Sequence, residues 1–197
     1  SEVADLVGAD FQIGVDPSDF PRIANLIEAK ETAPILEMDP DSIPGRVFAG
    51  MEDDVAAMTT SVEWKQAEIP AANGHGNARS IVRAQTVLAN SGSAFGVQLL
   101  SPEGCSKALE SQTNGNDLVL GIPVNFAMGY ALASEIIPIS PNSNTLWWGG
   151  AGGSTVVVDT DAHACFSYVM NQMDNNIVGD PRGAALGAAV YSSLSDQ

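Results

Sequence analysis

The stretch from Thr145 to Asn171 constrains the fold of this chain more than any other. Thr145 to Trp148 and Gly153 to Asp159 read as strands, the second dense in the β-branched residues Thr155, Val156, Val157 and Val158. Such a strand is expected to pair on both sides within a sheet. Thr160-Asp161-Ala162-His163 reads as a turn, and Ala164 to Asn171 returns from it as an antiparallel partner. Phe126 to Leu132 reads as a further strand ahead of this hairpin. Asp180-Pro181 opens a final helix, with Asp180 as N-cap, Pro181 at the first helical position, and Leu186, Val190 and Leu194 on one stripe. Helices, then antiparallel strands, then a terminal helix predict an α+β fold: an antiparallel sheet flanked by helices. No internal repeat and no linker divides the chain, so residues 1–197 are expected to form one domain.

The first half is less regular. Gly8 and Gly14 bracket a short apolar stretch, and Asp16-Pro17-Ser18-Asp19 is a turn. Ile23, Leu26 and Ile27 suggest a short helical stripe. The acidic, proline-containing region from Thr32 to Gly45 reads as a surface loop, and a short helix is expected from Val55 to about Trp64. Ile69 to Asn77 is a tight, glycine-broken turn. It feeds a helix with Ala78, Ile81, Val82, Gln85, Leu88 and Ala89 on one side, and Asn77 is placed to cap it. Ser101 caps another helix, with Pro102 at its first position.

With 24 acidic and 8 scattered basic residues, the formal charge of −16 argues against nucleic-acid partners and against anionic membrane surfaces. A well-solvated surface accounts for that charge. No apolar run approaches the roughly 18 residues of a membrane span. Hydrophobic content of 45% reads as a soluble, globular chain, without indicating a compartment. Cys105 and Cys165 are too few for a disulfide framework, and each lies in an apolar or helical context, as buried thiols do. His75 and His163 lack a local partner motif, so no metal site is expected. Asp39, Asp41, Asp53 and Asp54 lie in polar loop sequence and cannot be matched as a pair of glycosidase acids. The run Gly149-Gly150-Ala151-Gly152-Gly153 is followed by neither Gly-Lys-Ser/Thr nor a helix, which excludes a phosphate loop.

The stretch Leu146-Trp147-Trp148-Gly149-Gly150-Ala151-Gly152-Gly153-Ser154 resembles the active-site strand of β-lactamase-like serine hydrolases. It is closest to the esterase branch similar to class C β-lactamases, the family VIII carboxylesterases, which carry Trp-x-Gly where penicillin-recognising enzymes carry Lys-Thr-Gly. The Gly8-to-Gly14 phrase, the Pro70-to-Arg83 turn and helix, Leu100-Ser101-Pro102 and the Trp148-to-Asn171 hairpin extend the resemblance over nearly the whole chain, in order. It implies a β-lactamase/transpeptidase-like sheet. It also implies an acyl-enzyme mechanism without a cofactor, in which two backbone N–H groups hold the oxyanion. Carried onto this sequence, one of those donors is the backbone of Ala151. Trp148, Gly149 and Gly150 would bind substrate, with Asn73 and His75 as a possible rim. The two glycines would let substrate lie against the strand, and the Trp148 indole suits an ester better than a β-lactam carboxylate.

The sequence departs from the family pattern in one decisive respect. Ser-x-x-Lys occurs nowhere in the 197 residues, and the expected Tyr-x-Asn or Tyr-x-Ser motif would precede residue 1. Tyr191-Ser192-Ser193 matches only in its letters, falling inside the terminal helix. The resemblance therefore implies the C-terminal portion of a serine hydrolase, incomplete, with its N-terminal half missing. The expected substrate is a small-molecule ester. The expected partner is a complementary N-terminal segment carrying Ser-x-x-Lys and Tyr-x-Asn, or a second copy covering a strand edge. A β-lactamase or amide hydrolase, and a non-catalytic binding module, are the alternatives.

Overall fold

Capping side chains punctuate the first half of the chain. The computed structural model describes residues 2–30, 39–50, 55–176 and 178–195. Strand β1 (Phe11–Ile13) is followed by a 3-10 helix (Pro17–Arg22), whose N-cap Asp16 accepts from Ser18 N at 2.9 Å. The expected helical stripe at Ile23, Leu26 and Ile27 does not form. Helical geometry ends at Arg22, and Ile27 instead makes a parallel bridge to Gln172. The expected loop before Gly45 is also shorter than predicted, because Ser42 caps helix α1 (Ile43–Phe48), with Pro44 in its first turn. The remainder of that loop at residues 31–38, and Asp53 with Asp54, lie outside the described residues. The single helix expected from Val55 divides into α2 (Val55–Thr60) and α3 (Val62–Gln66). Ser61 leaves helical geometry and its hydroxyl caps the second, accepting from Trp64 N at 3.1 Å.

Strand β2 (Gly74–Gly76) pairs antiparallel with β1 and leads into α4 (Ala78–Ala89), capped by Asn77 as expected. A short hairpin, β3 (Ser93–Ala94) with β4 (Val97–Gln98), precedes α5 (Pro102–Ala108), which Ser101 caps. The six remaining strands form one antiparallel meander. They are β5 (Thr113–Asn116), β6 (Pro123–Phe126), β7 (Ala131–Leu132), β8 (Thr145–Gly149), β9 (Thr155–Asp159) and β10 (Ala164–Tyr168), followed by α6 (Pro181–Ser195). The strand predicted from Phe126 to Leu132 is thus a hairpin. Ala127 N bonds Tyr130 O at 2.8 Å, and Gly129 turns the chain with φ +82. As the valine run predicts, β9 pairs on both sides, with β8 and β10. The architecture is the expected α+β arrangement of antiparallel sheet and helices.

Strand alternation splits the sheet into two faces. On one, Leu146 and Val158 meet Leu88 and Ala89 of α4 and Cys105 of α5. The far side of α4 is covered by the N-terminal segment, where Val87 packs with Ala4, Val7 and Ala9. Arg83 Nε fastens that segment by donating to Val7 O at 2.6 Å. On the other face, Val124, Ala131, Trp147 and Val157 form a second core. Helix α6 covers this face only at the β10 end. Toward β5 and β6 it stays open, as a groove of about 450 Å³ lined by Ile43, Val124 and Phe126 among others.

Candidate active site at the Gly150–Gly153 turn

Strands β8 and β9 are joined by a tight turn. Gly150 N donates to Ser154 O at 2.8 Å, and Gly153 N to Gly150 O at 3.0 Å. Gly152 adopts φ +84, the positive angle that the third residue of a type II turn requires. Ala151 sits exposed at the tip. The N–H groups of Gly150, Gly152 and Gly153 all have acceptors, whereas that of Ala151 donates to no group among the described residues. The turn therefore presents one unspent backbone donor to solvent, directly after Trp148-Gly149-Gly150.

The glycines have different reasons to be there. A Cβ on Gly150 would meet nothing within 4 Å, so this position faces open space, as contact with a substrate requires. A Cβ on Gly149 would come within 2.9 Å of Gly179 N. Gly149 is therefore demanded by packing from below, not by access from above, contrary to the expectation that both glycines clear room for substrate.

What packs from below comes from the segment between β10 and the first turn of α6: Met170, Met173, Asp174, Asn176, Gly179 and Asp180. Gly152 N donates to Asn176 O at 3.2 Å, and Asp174 N to Gly152 O at 2.9 Å. A Cβ on Gly152 would come within 2.8 Å of Met170 and 2.9 Å of Met173, and a Cβ on Gly153 would collide with the Asp180 carboxylate. Asp180 has no exposed side-chain surface. Arg182 Nε reaches its two oxygens at 2.9 and 2.8 Å, and Arg182 N caps onto Oδ1 at 2.7 Å. That guanidinium holds the Asp180 carboxyl below the usual carboxylate range. Arg182 also donates to Gln172 O at 2.9 Å, closing the segment on itself. Asp180 was legible as an N-cap. Its second role was signalled only by the density of glycines opposite it.

Trp148 is half-buried, its ring 5.1 Å from that of Phe126 and 5.8 Å from that of Trp147. Neighbouring residues on a strand point to opposite faces, yet these two indoles approach each other. Strand β7 pairs with β8 only at Leu146 and Trp147, so Trp148 has no β7 partner opposite it. Trp147 is buried, and its Nε1 donates to Leu132 O at 3.3 Å.

Asn73 and His75, expected at the rim, lie just before and within β2. Asn73 is buried, and its amide is spent on the turn before β2. Nδ2 donates to Trp64 O at 2.9 Å and to Ala67 O, while Oδ1 accepts from Ile69 N at 3.1 Å. It fixes the α3–β2 connection and offers nothing to a ligand. His75 pairs with Gln12 in the small β1–β2 ladder, and no hydrogen bond joins it to the Trp148–Ala151 stretch. Burial lowers its pKa, against a smaller raising influence from the Asn73 backbone. Its Nδ1 is buried without a hydrogen-bond partner among the described residues.

The other candidate groups are accounted for structurally. Burial pushes the Cys165 thiol up to about 12 and raises that of Cys105, so neither is a poised nucleophile. Tyr191 donates to Asp159 Oδ2 at 2.9 Å from within α6, which explains its presence without any catalytic motif. His163 is exposed at its hairpin tip, with φ +50 and Nδ1 3.2 Å from Ala89 O at the end of α4.

The chain is similar to known proteins in sequence and in fold. A family model described as Beta-lactamase matches residues 1–190. The Esterase/beta-lactamase LipL of Mycobacterium tuberculosis is 28% identical over 189 residues, covering 90% of this chain and 43% of LipL. A family VIII carboxylesterase superposes with a TM-score of 0.84 at 31% identity, covering 98% of this chain and 50% of its own. A penicillin-binding protein homolog from Caulobacter crescentus gives 0.82 at 28%, covering 96% and 50%. The chain spans about half the length of the relatives it matches.

Proposed function

Because the chain belongs to the beta-lactamase family, we propose that it contributes the oxyanion-bearing half of a serine ester hydrolase. The observation that carries this reading is the exposed, unpaired N–H of Ala151 at the end of the Trp148-Gly149-Gly150 strand. A serine in a complementary segment attacks the ester carbonyl. Charge develops on the carbonyl oxygen, and the Ala151 N–H stabilises it together with the nucleophile's own N–H. The acyl-enzyme is then hydrolysed by water, and no cofactor takes part. Trp148 forms an apolar wall beside the reacting carbon, which favours short or medium acyl esters over a β-lactam with its carboxylate.

Two features support an external source for the nucleophile. Ser-x-x-Lys is missing from the sequence, and β10 is one of the two sheet edges left unpaired among the described residues. Beside that edge, Phe166, Leu186, Val190 and Leu194 line an apolar groove of about 440 Å³ where α6 meets β10. Strand pairing at the edge and apolar burial in the groove give a complementary segment a place to dock.

The test is reconstitution. The chain is combined with a segment carrying Ser-x-x-Lys and Tyr-x-Asn, then assayed on p-nitrophenyl esters and on nitrocefin. Ester turnover well above nitrocefin turnover is the expected result. The reverse preference would make this a β-lactamase. A folded, assembled complex inert to both would leave a binding module.

A further inference from the structure

A backbone donor stabilises an oxyanion only if it is held where the charge appears, and among the described residues the Ala151 N–H has no acceptor to hold it. Its neighbours are held instead. Gly152 is bonded in both directions to residues 174 and 176, and Gly153 rests directly on the Asp180 carboxylate. That carboxylate is locked by Arg182, which is locked in turn to Gln172 O. The same segment is tied at its start to the N-terminal part of the chain. Ile27 N donates to Asn171 O at 2.7 Å, and Met173 N to Ile27 O at 2.8 Å.

Resting on the reading above, we propose that Asp180, clamped by Arg182 beneath Gly153, is a positioning residue that sets the direction of the Ala151 N–H. Asp180 touches no substrate. It acts by filling the space that the missing Gly153 side chain leaves, so that the turn cannot sink toward α6. Gly153, with φ +121, tolerates neither a side chain of its own nor a shift of the group below it. The acidic residue does two jobs with one side chain: it starts α6, and it fixes the turn.

In the complex of this chain with the segment that supplies the nucleophile, Asp180→Ala is expected to lower kcat about a hundredfold with KM within about twofold, the cost of displacing a catalytic group by about 1 Å. A phosphonate transition-state analogue is expected to weaken in parallel with kcat. Asp180→Asn keeps the shape and the oxygen that caps Arg182 N, and is expected to recover most of the lost rate. Unchanged kcat in Asp180→Ala, or a loss carried by KM, would overturn the assignment. Amide hydrogen exchange supplies a readout independent of activity. In Asp180→Ala, exchange at Gly152 and Gly153 is expected to accelerate while Val157 and Val158 in β9 stay protected. Equal acceleration at all four would reduce Asp180 to a general stabiliser and overturn the positioning role. If the unmodified complex hydrolyses no ester, the functional reading fails, and exchange still decides whether Asp180 holds the turn.

Discussion

Trp148 stands between Phe126 and Trp147, so truncating it removes two ring contacts along with a wall of the candidate site. Such ring pairs contribute about 0.5–1.5 kcal/mol each beyond burial. Trp148→Ala is therefore expected to lower ester turnover about ten- to a hundredfold, the equivalent of about 1–3 kcal/mol, and to lower the melting temperature as well. Trp147→Ala empties a buried position and frees Leu132 O, which should cost about 3–5 kcal/mol of stability while sparing turnover per folded molecule. Melting curves beside turnover normalised to folded protein separate the two. If Trp147→Ala is the catalytic lesion, the assignment of Trp148 fails. Asp159 poses a different question, one of pH. It is buried and accepts from Ser140, Asn142 and Tyr191 at one oxygen, and from Asp161 N and Ala162 N at the other. Burial is the largest single influence on its pKa and pushes upward, but the donors together outweigh it and hold the carboxyl below its ordinary value. A depressed folded pKa means stability that is present above the unfolded value, near pH 4, and lost as pH falls toward the folded one. Asp159→Asn is accordingly expected to cost about 3 kcal/mol at neutral pH and to flatten the acid limb of the stability curve. An acid limb as steep as that of the unmodified chain would show that Asp159 is not its source.

Among the elements, what the sequence made legible was what local chemistry decides. Asn77 and Ser101 cap helices, the Thr155–Val158 run lies inside the sheet, and Leu186, Val190 and Leu194 share one side of α6. What it hid was set by partners distant in the chain. Ile27 has the spacing of a helix but is drawn into a bridge with Gln172, and Asn73 looks like a polar rim yet is consumed by the carbonyls of Trp64 and Ala67. The segment beneath the Gly150–Gly153 turn has no pattern of its own, and its meaning comes only from the glycines it touches. The α6 stripe was legible as a stripe, but not as one left uncovered: Leu186 is 52% exposed and Leu194 40%. Strand β10 beside it carries no charge and no proline, the residues that usually guard an edge. Leu186→Lys combined with Leu194→Lys is expected to abolish assembly with the complementary segment, because a buried unpaired lysine is costly. The chain's own melting should change little, since both positions are already exposed. Assembly that survives the double variant, measured by light scattering, would place the docking surface elsewhere.

At the scale of the whole molecule, charge decides between the two ways of covering that edge. Two copies would bring together chains of formal charge −16 each, and their repulsion acts over a screening length of about 30 Å at 0.01 M salt but only about 8 Å at 0.15 M. Self-association would therefore tighten steeply as salt is added. A complementary segment of lower or opposite charge would show a weak or reversed dependence. We expect the second behaviour, with a one-to-one complex whose affinity does not climb with salt. The same preparation tests where the nucleophile resides. Without Ser-x-x-Lys, no serine of this chain has a lysine placed by that motif to take its proton. A fluorophosphonate probe should leave this chain unlabelled when it is alone. After assembly the probe should label a single serine, and mass spectrometry should locate it in the complementary segment. A labelled serine within residues 1–197 would demand a different nucleophile, and with it a different account of what the Ala151 turn is for.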